Sequence, residues 1–193
     1  KQYERAIQDY DKAIDLDKNF VNAYYGRGVA YENLKQYERA IQDYDKAIDL
    51  DKNYVNAYNN RGKNYNDLKQ YQRAIQDYDK AIDLDKNYAD AYYNRGNAYR
   101  KLKQYERAIQ DYNKAIDLDK NVADKNYADA YINRGNSFRD LMQYERAIQD
   151  YDKAIDLDKN NALVYLNRGN AYYNQKQYER AIQDYDKAID LDK

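Results

Sequence analysis

Tyr37-Glu38-Arg39-Ala40-Ile41-Gln42-Asp43-Tyr44-Asp45-Lys46-Ala47-Ile48-Asp49-Leu50-Asp51-Lys52 is the stretch that decides the fold. Its residues Tyr37, Ala40, Ile41, Tyr44, Ala47, Ile48 and Leu50 fall at i, i+3, i+4, i+7, i+10, i+11 and i+13. That spacing makes one apolar stripe on a helix of about 3.6 residues per turn. Glu38, Arg39, Gln42, Asp45, Lys46 and Asp49 occupy the other face and read as a solvated set. The same string begins at Tyr3, Tyr37, Tyr71, Tyr105, Tyr144 and Tyr178, so successive starts lie 34, 34, 34, 39 and 34 residues apart. A unit of this size cannot bury its apolar face alone and must stack on its neighbours, which is the signature of a solenoid.

A second stripe precedes each copy. In the first complete unit it runs Ala23, Tyr24, Gly28, Tyr31, Leu34 and ends in the turn Lys35-Gln36. Each unit is therefore a helix pair. Segments such as Asp51-Lys52-Asn53 join one pair to the next, with Asn53 expected as the N-cap of the following helix. Five of the six glycines (Gly28, Gly62, Gly96, Gly135 and Gly169) share one place in the middle of the first helix. Glycine there costs roughly 0.5–1 kcal/mol against alanine, which predicts the close crossing of another helix backbone.

This pattern resembles the tetratricopeptide repeat family. The family's order of aromatic, Gly, aromatic, Ala, aromatic, Ala is matched by Tyr58, Gly62, Tyr65, Ala74, Tyr78 and Ala81, and equivalents recur in all five complete units. The resemblance implies an all-α fold, a right-handed α-solenoid of antiparallel helix pairs whose first helices line a concave wall. On this reading residues 1–193 form one array. Residues 1–18 are an orphan second helix, residues 21–52, 55–86, 89–120, 128–159 and 162–193 are complete pairs, and residues 121–127 are an insertion. The five extra residues arise from a near-duplication, Asp119–Ala123 against Asp124–Ala128, and read as a tolerated insertion. Three features depart from the family, one being lysine where the family usually has Pro after the second helix. Lysine or methionine (Lys35, Lys69, Lys103, Met142, Lys176) stands where the family favours Gly in the turn, which predicts softer or differently shaped turns. Arginine (Arg27, Arg61, Arg95, Arg134, Arg168) stands where the family often has Leu.

Composition removes several function classes. There is no Cys, His, Trp or Pro, and the formal net charge is −1. Without Cys and His, soft-metal sites and the usual nucleophile arrangements cannot be built, so no enzyme, metal or cofactor is expected. Near-zero charge is a poor match for nucleic acid, whose binders neutralise phosphates with clustered cations. No apolar run approaches the roughly 20 residues needed to cross a bilayer, and no signal peptide is visible. A soluble, cytoplasmic setting is favoured. Asp49–Asn53 imitates the start of a calcium loop but lacks the required Gly and Glu, and Gly26-Arg27-Gly28 lies inside a helix.

Of 27 tyrosines, 21 fall at four packing places exemplified by Tyr24, Tyr31, Tyr37 and Tyr44, and read as core. The remaining six include Tyr25, Tyr93 and Tyr173, which the family geometry puts on the concave wall. The arginines recur as strictly as Asp43, Asp77, Asp111, Asp150 and Asp184, which predicts structural Arg–Asp pairs across packed helices. Asparagines carry the functional expectation. Asn60, Asn94, Asn133 and Asn167 share one place in the first helix, and Asn97, Asn136 and Asn170 lie three residues on, along the same face. An amide offers donor and acceptor together and can grip a peptide backbone. The resemblance implies peptide binding by such rows, since similar rows bind extended peptides in a member of this family; Arg100, Lys101 and Arg139 form the most basic stretch of the wall. A clamp for a terminal carboxylate is not expected, because Tyr93, Ile132 and Asn replace the cations it needs. The expected function is a protein–protein interaction scaffold binding an extended segment. The alternative is a structural segment that self-associates through uncapped terminal helices, forming a homo-oligomer.

Overall fold

The computed structural model describes residues 2–118 and 128–192. Among them run eleven α-helices and no strand. In chain order they are α1 (Gln2–Leu16), α2 (Val21–Asn33), α3 (Tyr37–Leu50), α4 (Val55–Asp67), α5 (Tyr71–Leu84), α6 (Ala89–Lys101), α7 (Tyr105–Leu118), α8 (Ala128–Asp140), α9 (Tyr144–Leu157), α10 (Ala162–Asn174) and α11 (Tyr178–Leu191). The insertion expected at 121–127 lies outside the described residues. The chain forms two compact units, Lys1–Ala98 and Tyr99–Lys193.

In the first unit each helix packs on the next, α1 on α2, α2 on α3, α3 on α4 and α4 on α5. One cluster joins Ile14, Tyr24, Ile48, Tyr58 and Ile82, with Ala47, Ala57, Ala81 and Ala91 filling the close contacts. A second joins Ile41, Tyr65, Ala74, Tyr78 and Ala98. In the second unit α7 packs on α8, α8 on α9, α9 on α10 and α10 on α11, around Ile132, Tyr151, Ala147, Ala154 and Val164. Tyr44, Tyr78, Tyr112 and Tyr151 are completely enclosed. Among the described residues the main contacts run between helices adjacent in the chain, with smaller ones from α2 to α4 and from α8 to α10.

Three local expectations are corrected. Helix α4 begins after Tyr54, not Asn53, and Tyr54 makes no side-chain cap. Asp51 instead accepts a bond from the Asn53 amide at 2.9 Å, a turn that satisfies the connection before the helix starts. The turns are not reshaped by the missing glycine. Lys35, Lys69, Lys103, Met142 and Lys176 all take the left-handed conformation, with φ from 57° to 62°. Lys35 N donates to Glu32 O at 2.8 Å and Gln36 N to Tyr31 O at 2.9 Å, the paired bonds of a Schellman cap. Those two bonds hold a conformation that costs a side chain about 1–2 kcal/mol. Finally, the space at Gly62 is taken by a ring, not a crossing backbone. A Cβ there would lie 2.7 Å from Tyr78 Cε1. Gly28 meets Tyr44 in the same way.

Candidate functional site

The arginines of the first helices are enclosed forks. Arg61 Nε and Nη2 donate to both oxygens of Asp77 at 2.8 and 2.6 Å, and Nη1 donates to Asp45 at 2.6 Å. Arg27 holds Asp43 and Asp11 in the same manner, and Arg168 holds Asp184 and Asp152. Arg95 reaches Asp79 at 2.5 Å, and Asp111 is buried. Arg134 grips Asp150, but its outer partner is Asn113 at 2.7 Å. The hydrogen bonds that Arg27 donates to Asp43, and then to Asp11, hold its guanidinium above its ordinary range. Burial raises the carboxyls of Asp43, Asp77 and Asp150, and the arginine bonds act against it. Each guanidinium also lies over a tyrosine ring of its own helix, Arg61 over Tyr58 at 5.5 Å. With every donor edge occupied, such arginines serve the packing. The outer carboxylates went unrecognised in the sequence: Asp45 sits on the face that periodicity assigns to solvent, yet it bridges to the next first helix.

In the first unit the wall residues bind one another. Asn60 Nδ2 donates to Tyr25 Oη at 3.0 Å, and Asn94 Nδ2 donates to Asn59 Oδ1 at 3.1 Å. Burial raises the Tyr25 phenol. Glu32 is a hub that sequence reading missed as such. It accepts from Tyr44 Oη at 2.9 Å, Lys63 Nζ at 2.9 Å and Asn64 Nδ2 at 3.0 Å. Tyr93 and Asn97 are half-buried, and each has an interaction partner. The charge of this wall is therefore largely satisfied within the unit.

The second unit differs. Tyr151 Oη donates to Asn136 Oδ1 at 2.9 Å, and Tyr185 Oη donates to Asn170 Oδ1 at 3.0 Å. Burial pushes both phenols up, which keeps them protonated as donors. Each amide thus has its oxygen committed, and its Nδ2 makes no hydrogen bond among the described residues. Asn167 is buried and accepts from Arg139 Nη1 at 3.2 Å, while Arg139 also pairs with Asp140. Asn133 is half-buried with a partner. Arg100 is half-buried, with Nε unpaired among the described residues, and Lys101 is exposed. Tyr173 is exposed and meets Tyr178 edge-on at 5.4 Å. At the edge of this unit Leu163, Leu166, Tyr185, Ala188 and Ile189 line an open apolar groove of about 410 Å³. Among the described residues no cluster of acidic side chains is placed to hold a metal, and no helix is long and apolar enough to cross a membrane.

The tetratricopeptide repeat family model matches residues 21–54, 89–122 and 162–193, and a second model, described as TPR repeat, matches 1–35, 62–102 and 135–176. No curated protein matches the chain significantly. Among solved structures, MamA is 28% identical with a TM-score of 0.79, covering 89% of this chain and 91% of its own. YrrB, described as a TPR protein with an unusual peptide-binding site, is 26% identical with a TM-score of 0.78, covering 94% and 91%. The Cut9–Hcn1 structure, 20% identical with a TM-score of 0.81, covers 98% of this chain and 36% of its own, and shares the fold. Repeat period, stacked helix pairs and family matches agree: this chain is a member of the tetratricopeptide repeat family, with the all-helical solenoid architecture of an interaction scaffold.

Proposed function

We propose that the scaffold binds an extended peptide along the face built by its first helices, and that Asn136 and Asn170 are the principal contacts. The observation that carries this is their shared geometry. In both, a tyrosine hydroxyl, of buried Tyr151 and of half-buried Tyr185, fixes the amide oxygen, and the amide NH2 on a half-buried face makes no hydrogen bond among the described residues. The two asparagines lie one repeat apart on α8 and α10, so at a helix spacing of about 8–10 Å their donors can meet carbonyls about three residues apart on one extended chain. Amides pre-oriented by packed side chains lose little freedom on binding. The peptide-binding site named for YrrB supports the same use of a similar fold. Tyr173, exposed beside them, offers an aromatic contact for a peptide side chain.

The test is selection of a random-sequence peptide display library on the whole chain, followed by affinity measurement on variants. Asn136→Ala with Asn170→Ala should weaken the selected peptides by roughly 10–100-fold, that is about 1.4–2.8 kcal/mol. Tyr151→Phe should give a smaller loss by freeing the amide. Undiminished binding to the double variant, or a selection that yields no binder, would overturn the reading.

A further inference from the structure

Among the described residues, Arg100 is the one arginine of the first helices with no acceptor. The five forks hold aspartates, and Arg139 donates to Asp140 at 3.1 Å and to Asn167 at 3.2 Å. Arg100 is half-buried near the C-terminal end of α6. Its Nε is enclosed, and it makes no hydrogen bond or ion pair among the described residues. A charge in that position is costly, because burial removes water that no protein group replaces.

The register of the repeat accounts for the missing partner. Arg100 holds the place of Glu32, each two residues before the leucine that follows its helix, Leu102 and Leu34. In the first unit Glu32 accepts from Lys63 at 2.9 Å and from Asn64 at 3.0 Å, donors of the next first helix. In α8 the residue after the glycine, as Lys63 follows Gly62, is Asn136. Its oxygen accepts from Tyr151 at 2.9 Å, and its NH2 makes no hydrogen bond among the described residues. A place where the first unit sets an acid against donors therefore holds only donors in the second.

Both donors gather about the Tyr151 hydroxyl. Burial raises that phenol, Asp140 and Asp150 act with the burial, and the charges of Arg139 and Arg100 act against it. Of these four charges, Asp140 is paired with Arg139 and Asp150 with Arg134. Arg100 is left as one uncompensated positive charge, with exposed Lys101 next to it. A single carboxylate matches that charge, and a guanidinium presents parallel N–H groups to its two oxygens. We propose that Arg100, beside Asn136, is a subsite for the carboxylate of an Asp or Glu side chain within the bound peptide. It rests on the peptide reading above and adds the charge of the ligand: an acidic residue next to the carbonyl that Asn136 holds. The carboxylate belongs to a side chain, so no free chain terminus is required.

The test is selection on the whole chain from a random peptide library fused at its C-terminal end, which offers no terminal carboxylate. One peptide position should be enriched in Asp or Glu. Changing that acid to its amide in a synthetic, C-terminally amidated peptide should weaken binding to the parent chain about tenfold. The same change should alter binding to Arg100→Gln by less than about twofold, with helical circular dichroism of the variant unchanged. Lys101→Gln should keep the preference, and Arg100→Glu should turn it toward Lys or Arg. Binders without a fixed acid, or an acid preference that survives Arg100→Gln, would overturn the subsite and leave the asparagine contacts standing. Acidic binders that need Arg100 but not Asn136 and Asn170 would support the subsite and overturn those contacts. A selection that yields no binder would overturn both.

Discussion

Replacing Asp77 or Asp45 by Asn removes one of two carboxylates from the same guanidinium while leaving its shape nearly unchanged. The two differ in burial. The side chain of Asp77 is 8% exposed and that of Asp45 is 48% exposed, both at 2.6 Å from Arg61. Two unit charges about 4 Å apart attract by roughly 4 kcal/mol at an effective dielectric near 20, and by roughly 1 kcal/mol in water. For the enclosed partner, removal strands an arginine whose side chain is only 18% exposed, a loss of about 3–5 kcal/mol when nothing replaces the carboxylate. Asparagine keeps one acceptor, so about 2–3 kcal/mol is expected for Asp77→Asn. For the half-exposed partner solvent screening leaves about 0.2–1 kcal/mol. Urea unfolding followed by circular dichroism, fitted with a nearest-neighbour repeat treatment, measures both. The fourth fork already carries the outer change as Asn113, so Asn113→Asp should gain a similar 0.2–1 kcal/mol. If Asp45→Asn costs as much as Asp77→Asn, burial does not rank the partners and the reasoning fails.

Two further outcomes are expected. Lys69→Gly removes the cost of a left-handed side chain at φ 59° and adds flexibility to the unfolded chain; the balance is a gain of about 0.5 kcal/mol, read as a raised urea midpoint. A lowered midpoint would show that the lysine makes contacts worth more than its strain. Burial pushes the Tyr88 phenol up to about 12 and those of Tyr44 and Tyr78 higher still. The fold therefore favours the protonated phenol. That stability is complete below the ordinary value of 10.0 and is lost as pH rises from there through about 12. Tyrosinate absorbance from buried rings should appear together with loss of helical circular dichroism. Full ionisation of an intact helical array would contradict it.

The helix pairs were legible because their cause is local. A stripe such as Tyr37, Ala40, Ile41, Tyr44 repeated every 34 residues has few other solutions. The inner Asp77 and Asp43 could be anticipated because a charge that recurs on an apolar edge needs a partner. Asp45 could not, since periodicity records which face a residue takes within one helix and not what the next pair lays beside it. The asparagines divide for a related reason. Asn60 and Asn136 belong to the same polar row, but only the packed structure shows that one is spent on Tyr25 while the other is aimed by Tyr151. Tyr54 in place of Asn53 at the start of α4 reflects a turn bond from the Asn53 amide to Asp51 that the composition of the connection does not reveal.

Helices α3, α9 and α11 share one sequence, so a first helix emerging from the unfolded state meets several docking surfaces that are chemically the same. Affinity alone cannot tell the right berth from the wrong one. A frameshifted assembly, with one whole pair looped out, would look locally correct at every contact. What selects the native pairing is tether length: Leu34–Gln36 or Leu68–Gln70 is too short to let a helix reach past its own successor. Lengthening those tethers should therefore scramble the order of the array before it weakens any single contact.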